Sequence, residues 1–332
     1  LNVRPLLACL AACLAVAAAR PAAAQGGGEH GSSLLIFPKV VADASGDSIV
    51  QLANLSESRV DVFCTYVDGR GGWQASGFNL SLLAQQPLHW VVSQGRAADE
   101  GVDNGVPPAP EEFRGELLCV EVDVTGAPAG GNRLVGHATV VGLDGGDAIA
   151  YPAVGLQGLG LYDGDEVLCI GQPSDPCLFG AEYDACPAAW TFSHPAAGAA
   201  DRQLGDGSRL APRITVVPCS QNVRDGTPGS VTLSFEVTNE LAQRFTFSTG
   251  VTCWADLSLA DLSPVFTVET LGGEAAWTRV QPAAGSGAFV VIAEVERRAS
   301  AAGPVLGRSA LAPYPEGAAD VADAITLPMG RP

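Results

Sequence analysis

Lysine is nearly absent from this chain: Lys39 stands alone among 18 cationic residues, and histidine occurs four times in 332 positions. Against 36 acidic residues, the formal net charge is −18. A surface of that sign repels nucleic acid and anionic membranes, so neither is expected as a partner. Signatures of the common catalysts are missing too. No Gly-x-Ser-x-Gly elbow, His-Glu-x-x-His, P-loop or Cys-x-x-Cys-His occurs. Carboxylate pairs are plentiful, but sequence fixes no separation between them, which leaves a glycosidase unsupported. No catalytic residue is assigned. Beyond the first two dozen residues no apolar run reaches bilayer length, so no integral span is expected in the mature chain.

The one long apolar run comes first. Arg4 precedes the stretch Leu6 to Ala19, and Ala22-Ala23-Ala24 stands before Gln25, the order of a secretory signal. Residues 1–24 are read as a signal peptide and 25–33 as a flexible start of the mature chain. Leu10-Ala11-Ala12-Cys13 offers an alternative, a lipoprotein box with the lipid on Cys13. Cleavage after Ala24 removes Arg4 and Arg20 and no acid, leaving 16 cations against 36 acids, a net of −20. The protein is therefore expected to be secreted, periplasmic or on the cell surface. Its acidity serves solubility first, with a cation-loaded surface as the functional version.

What remains is rich in β signals. Leu233, Phe235 and Val237 alternate with Thr232, Ser234, Glu236 and Thr238, and Leu118, Val120 and Val122 alternate with Cys119, Glu121 and Asp123. Forty glycines and 23 prolines suit the turns between such strands. Two stretches also run in parallel. Pro38 matches Pro218, Asn54 matches Asn239, Cys64 matches Cys253, and Phe78 matches Phe266. The series continues with Trp90 and Trp277, Gly115 and Gly287, Gly136 and Gly307. It ends with Asp147-Ala148-Ile149 beside Asp323-Ala324-Ile325. This order predicts a duplicated sandwich unit at 34–155 and 213–332, joined by a cysteine-containing insert at 156–212.

The pattern resembles the immunoglobulin-like modules of bacterial surface and secreted proteins. The resemblance covers both repeats and implies an all-β chain of two tandem immunoglobulin-like β-sandwich domains. The order of Cys and Trp differs from that of antibody domains.

Seven cysteines follow the leader, in a compartment that favours oxidation. Cys64 with Cys119 and Cys219 with Cys253 are expected to form one bridge per repeat. Cys169, Cys177 and Cys186 sit in the insert and leave one thiol over. With His194 these three compose a conceivable zinc set, although the gaps are longer than the usual Cys-x2–4-Cys knuckle. Asp163, Asp165 and Glu166 offer carboxylates to calcium without a full EF-hand ladder, so a solvated acidic turn is the plainer reading. No cofactor is expected otherwise. The leading functional expectation is an exported, non-enzymatic structural or binding protein, adhesion-like, contacting another envelope protein or a glycan. The alternative is a carbohydrate-binding module or polysaccharide-active enzyme that stacks sugars on Trp73, Trp90, Trp190, Trp254 or Trp277. Trp90 and Trp277, which recur between the copies, are assigned to the core.

Overall fold

The computed structural model describes residues 30–70, 74–142, 147–173, 176–177 and 180–329. The leader, Cys13 and Trp73 lie outside these residues. The chain is all-β, as its alternation predicts. On β2 (Gly46–Asn54), Ser48, Val50 and Leu52 are buried while Gln51 is exposed. On β14 (Ser230–Asn239), Val231, Leu233, Phe235 and Val237 are buried while Ser230 and Thr232 are exposed.

The first half forms one nine-stranded sheet bent into two leaves at the hairpin of β1 (Leu34–Asp43) and β2. One leaf orders β4 (Ala75–Leu82), β3 (Val60–Asp68), β6 (Phe113–Val122), β1 and β9 (Val154–Leu156). The other orders β5 (Pro87–Val91), β2, β7 (Leu134–Gly142) and β8 (Ala148–Pro152). Between the leaves Phe37, Tyr66, Leu117 and Cys119 meet Leu52, Trp90, Ala138 and Ile149 in a closed apolar core. Each fully buried Leu or Ile there contributes roughly 1.5–3 kcal/mol.

The second half repeats the same order of neighbours. One sheet runs β15 (Arg244–Thr252), β14, β17 (Ala275–Pro282), β11 (Pro187–Pro195) and β20 (Tyr314–Ala318). Its companion runs β16 (Ala255–Ser258), β12 (Arg209–Pro218), β18 (Phe289–Arg298) and β19 (Val305–Leu311). With β11 as the first strand of its half and short β13 (Gln221–Asn222) set aside, both halves read 4-3-6-1-9 and 5-2-7-8. The second–fifth and third–sixth pairs are those of strands B–E and C–F in an immunoglobulin sandwich. The first and seventh strands, however, lie on the opposite sheets from A and G.

This order corrects the residue matches drawn from sequence by one strand. Pro38 lies on a first strand and Pro218 on a second. Trp90 lies on a fifth strand and Trp277 on a sixth. Residues 156–212 are likewise not a single insert, because they contain β11, the first strand of the second sandwich. The remainder holds β10 (Val167–Gly171), which pairs with β21 (Ala322–Thr326), and β21 in turn pairs with β13. Asp323-Ala324-Ile325 therefore belongs to this three-stranded junction sheet and is no counterpart of Asp147-Ala148-Ile149 on β8.

The leaf containing β1 and β6 is buried on both faces. Leu34, Ile36, Leu118 and Val120 turn away from the first core and join Leu168, Ile170, Tyr183, Ile325 and Leu327 in a cluster that continues into the second sandwich. A bulge in β1 between Phe37 and Val40 ties the halves further. Pro38 brings no N–H to the ladder, and its carbonyl accepts from Trp254 Nε1 at 2.6 Å. Tyr151 Oη accepts from Lys39 N at 3.1 Å and donates to the Lys39 carbonyl. The Lys39 ammonium then reaches into the second half, 3.1 Å from Asp256 and 2.5 Å from Glu294.

Candidate binding face

Tryptophan placement separates core from surface. Trp90, Trp190 and Trp254 are buried, and their indole N–H groups donate to Tyr66 Oη, the Phe289 carbonyl and the Pro38 carbonyl. Trp277 is 40% exposed, so it leaves the core to which its spacing from Trp90 assigned it. Of the five aromatic candidates, Trp73 is not described and three are structural.

Trp277 stands on the outer face of the β15-β14-β17-β11-β20 sheet. Ladder register places Ser193, Trp277, Thr238 and Arg244 in one row across it. The next row holds Tyr314, Thr191, Arg279, Glu236 and Thr246, with Tyr314 70% exposed. Arg279 Nε donates to Glu316 on β20 at 2.7 Å, and its Nη1 donates to Gln281. Arg244 lies 3.4 Å from Glu236. These rows carry no outward Val, Leu or Ile. Hydroxyls, two guanidinium–carboxylate pairs and two aromatic rings compose the face, which is electrically neutral on an otherwise acidic protein.

The face ends at a groove. Pro195 and Ala275, each two residues beyond Ser193 and Trp277 on their strands, line a depression of about 670 Å³ together with Arg202, Glu240, Glu274 and Arg297. Arg202 pairs with Glu274 at 2.7 Å, and Glu240 accepts from the Glu274 N–H at 2.8 Å.

The cysteine candidates form three disulfides: Cys64–Cys119, Cys169–Cys177 and Cys186–Cys219. Cys219 thus departs from its expected partner. Cys186 just before β11 and Cys219 just after β12 meet across the second sandwich, which leaves Cys253 unbonded. Burial pushes the Cys253 thiol up to about 12, with Glu116 and Asp68 adding to the shift. The zinc set is not assembled, because Cys169, Cys177 and Cys186 are all consumed in disulfides. His194 instead sits between Phe192 and Phe266, its Nε2 2.8 Å from Thr278 Oγ1 and its Nδ1 2.8 Å from the Pro195 carbonyl.

The acidic cluster is engaged locally. Asp163 accepts from the Asp165 N–H at 3.1 Å and Asp165 from the Val167 N–H at 2.7 Å, while Glu166 lies 3.2 Å from Arg224. Among the described residues no group of three or more His, Cys, Asp or Glu side chains is placed to hold a metal.

No protein-family model matches the chain, and no curated protein matches it. Several solved structures share low similarity with it. Among them are Thermotoga maritima 1070 (9% identity, 37% of this chain and 93% of that one, TM-score 0.27) and the PBSX exported protein XepA (10%, 78% and 85%, 0.19). Another is a lectin from Pleurotus ostreatus in complex with GalNAc (10%, 91% and 80%, 0.14). At these scores none bears on the function of this chain. Among the described residues no helix is long and apolar enough to cross a membrane.

Proposed function

We propose that this chain is an exported, non-catalytic binding protein of the bacterial envelope or extracellular space. Two tandem sandwiches, related to immunoglobulin-like modules by their central strand pairs, serve as a frame for one presented sheet face. The observation that carries the reading is the contrast among the described tryptophans: three are buried with satisfied N–H groups, and the fourth stands on a face whose two central rows carry no Val, Leu or Ile. Aromatic rings interspersed with Arg are the composition of recognition surfaces. Export is supported by the leader-like first 24 residues and by three disulfides, which persist in oxidising compartments. The lipid-bearing Cys13 is the variant of this reading in which the protein is tethered.

Fractionation of the native host, followed by intact-mass measurement, tests the compartment. A mature start at Gln25 or a diacylglyceryl adduct on Cys13 fits the reading, whereas an unprocessed cytoplasmic protein contradicts it. A photo-crosslinking residue at Tyr314 tests the face and is expected to capture a partner in intact cells. Hydrolysis of a glycan, ester or peptide panel, abolished by substituting one acidic residue, would sink the non-catalytic assignment. Calcium has no part in this reading, so dialysis against chelator is expected to leave the melting temperature unchanged.

A further inference from the structure

We infer that the partner of this face is an uncharged oligosaccharide or polysaccharide, stacked on Trp277 and Tyr314 and hydrogen-bonded by the guanidinium and carboxylate groups that flank them. The inference rests on the reading of the sheet as a binding face and names what it binds.

Spacing comes first. Trp277 on β17 and Tyr314 on β20 are separated by β11 and offset by two residues along it, since Trp277 pairs with Ser193 and Tyr314 with Thr191. Strands about 4.8 Å apart and a rise of about 3.4 Å per residue place the two backbone positions about 12 Å apart. Two rings at that separation on one flat sheet span a short oligosaccharide. The negative π-face of each ring attracts the C–H face of a pyranose, which is apolar and weakly positive.

Chemistry around the rings points the same way. Arg279, Glu316, Gln281 and Glu236 offer planar groups that donate and accept in fixed directions, suited to vicinal hydroxyls. Arg279 is already held by Glu316 and Gln281, so little side-chain entropy is left to lose on binding. The core of a protein–protein interface is depleted in charged residues, whereas here Arg279, Glu236 and Glu316 crowd the rings. Charge selects among glycans. Arg244 and Arg279 are balanced by Glu236 and Glu316, so the face itself has no preference for an anion, while the net −18 of the whole chain repels one. The groove beyond Ala275 prolongs the track and supplies Glu240, Glu274 and Arg202 for the next sugar unit.

The test uses the full exported chain against cellohexaose, xylohexaose, chitohexaose and soluble starch, with hyaluronan and polygalacturonate as anionic controls. Titration calorimetry and tryptophan fluorescence read the outcome. At least one neutral glycan is expected to bind, with Trp277→Ala weakening it tenfold or more and Tyr314→Ala threefold or more. Leu241→Ala, on the neighbouring turn, should leave binding unchanged. The fluorescence change should vanish in Trp277→Phe, because the other described indoles are buried. Circular dichroism of each variant guards against misfolding, and Trp277→Phe is the milder substitution should the alanine variant fail to fold. Three results overturn the inference: no neutral ligand bound at millimolar concentration, binding confined to the anionic glycans, or binding insensitive to both aromatic substitutions. If glycans fail while crosslinking at Tyr314 captures an envelope protein, the face still binds and only its ligand class was wrong. If neither occurs, the binding-face reading falls with it.

Discussion

Glu116 carries a buried carboxyl at the junction of the halves that makes no ion pair among the described residues. Burial pushes it up to about 8, with Gln221 pulling slightly the other way. Glu116 Oε2 and Gln221 Nε2 both lack a hydrogen-bond partner among the described residues. The folded protein therefore keeps a proton that the unfolded chain releases near pH 4.5. Stability contributed by this group is full below that pH and declines as pH rises to about 8. His194 works in the opposite sense. Burial lowers it to about 4, so folding loses stability as pH falls from 6.5 toward 4. The two slopes oppose each other between pH 4.5 and 6.5, and of the pair only Glu116 still contributes a slope above 6.5. Glu116→Gln is expected to raise stability at pH 8 by about 4 kcal/mol and at pH 5 by about 1 kcal/mol or less. Urea unfolding at the two pH values checks this, and an equal gain at both would contradict the buried-acid account.

Cys253 makes a second residue-scale prediction. Its thiol is half-buried and held protonated, whereas thiolate is the reactive form. Iodoacetamide at pH 8 should leave it largely unmodified in the folded protein and label it on unfolding in denaturant. Rapid labelling of the native protein would mean that the junction opens far more than the packing around Trp254 allows.

At the scale of elements, the bulge in β1 is the joint with the highest stakes. Lys39, Asp256 and Glu294 are all buried, and Arg213 lies 3.2 Å from Asp256. Burial pushes the Asp256 carboxyl up, yet Lys39 and Arg213 hold it below the ordinary carboxylate value. Removing one partner from such a set leaves a buried charge unpaired. Lys39→Ala is expected to cost about 3–5 kcal/mol, far more than an exposed lysine would. Chemical denaturation measures it, and a loss under 1 kcal/mol would show the network to be solvated.

The same scale explains what could be read in the sequence. Strands such as β2 and β14, wet on one face and dry on the other, announce themselves by alternation. β11 does not. Its PAAWTFSHP follows Cys186 directly, opens on small residues and is buried without alternation from Ala189 to Phe192, so it reads as part of an insert. Missing that first strand shifted the later matches by one element and paired Cys219 with the wrong thiol. Trp277 was legible in its own neighbourhood, because Ala276, Thr278 and Val280 share one parity while Trp277, Arg279 and Gln281 share the other. Long-range spacing from Trp90 outweighed that local signal. Which cysteines meet depends on strand order, and one sequence does not carry it.

For the molecule as a whole, the absence of a solvated boundary between the halves decides how it unfolds. Tandem domains joined by a linker keep separate cores and melt separately. Here Leu34, Ile36, Leu118 and Val120 of the first half share one cluster with Ile214, Phe235 and Phe289 of the second. β10 from the connector and β21 from the end of the chain pair across the junction. Exposing either half alone would strip apolar surface from a sheet that is dry on both sides, so the intermediate with one half melted is penalised. Scanning calorimetry of the oxidised protein is expected to show one cooperative transition whose van't Hoff and calorimetric enthalpies agree. Lys39→Ala should lower that transition without splitting it, because the apolar cluster outlasts the ion network. Two resolved transitions in the wild type would mean that the shared core contributes less than the separate ones, and the halves would then have to be treated as independent binding modules.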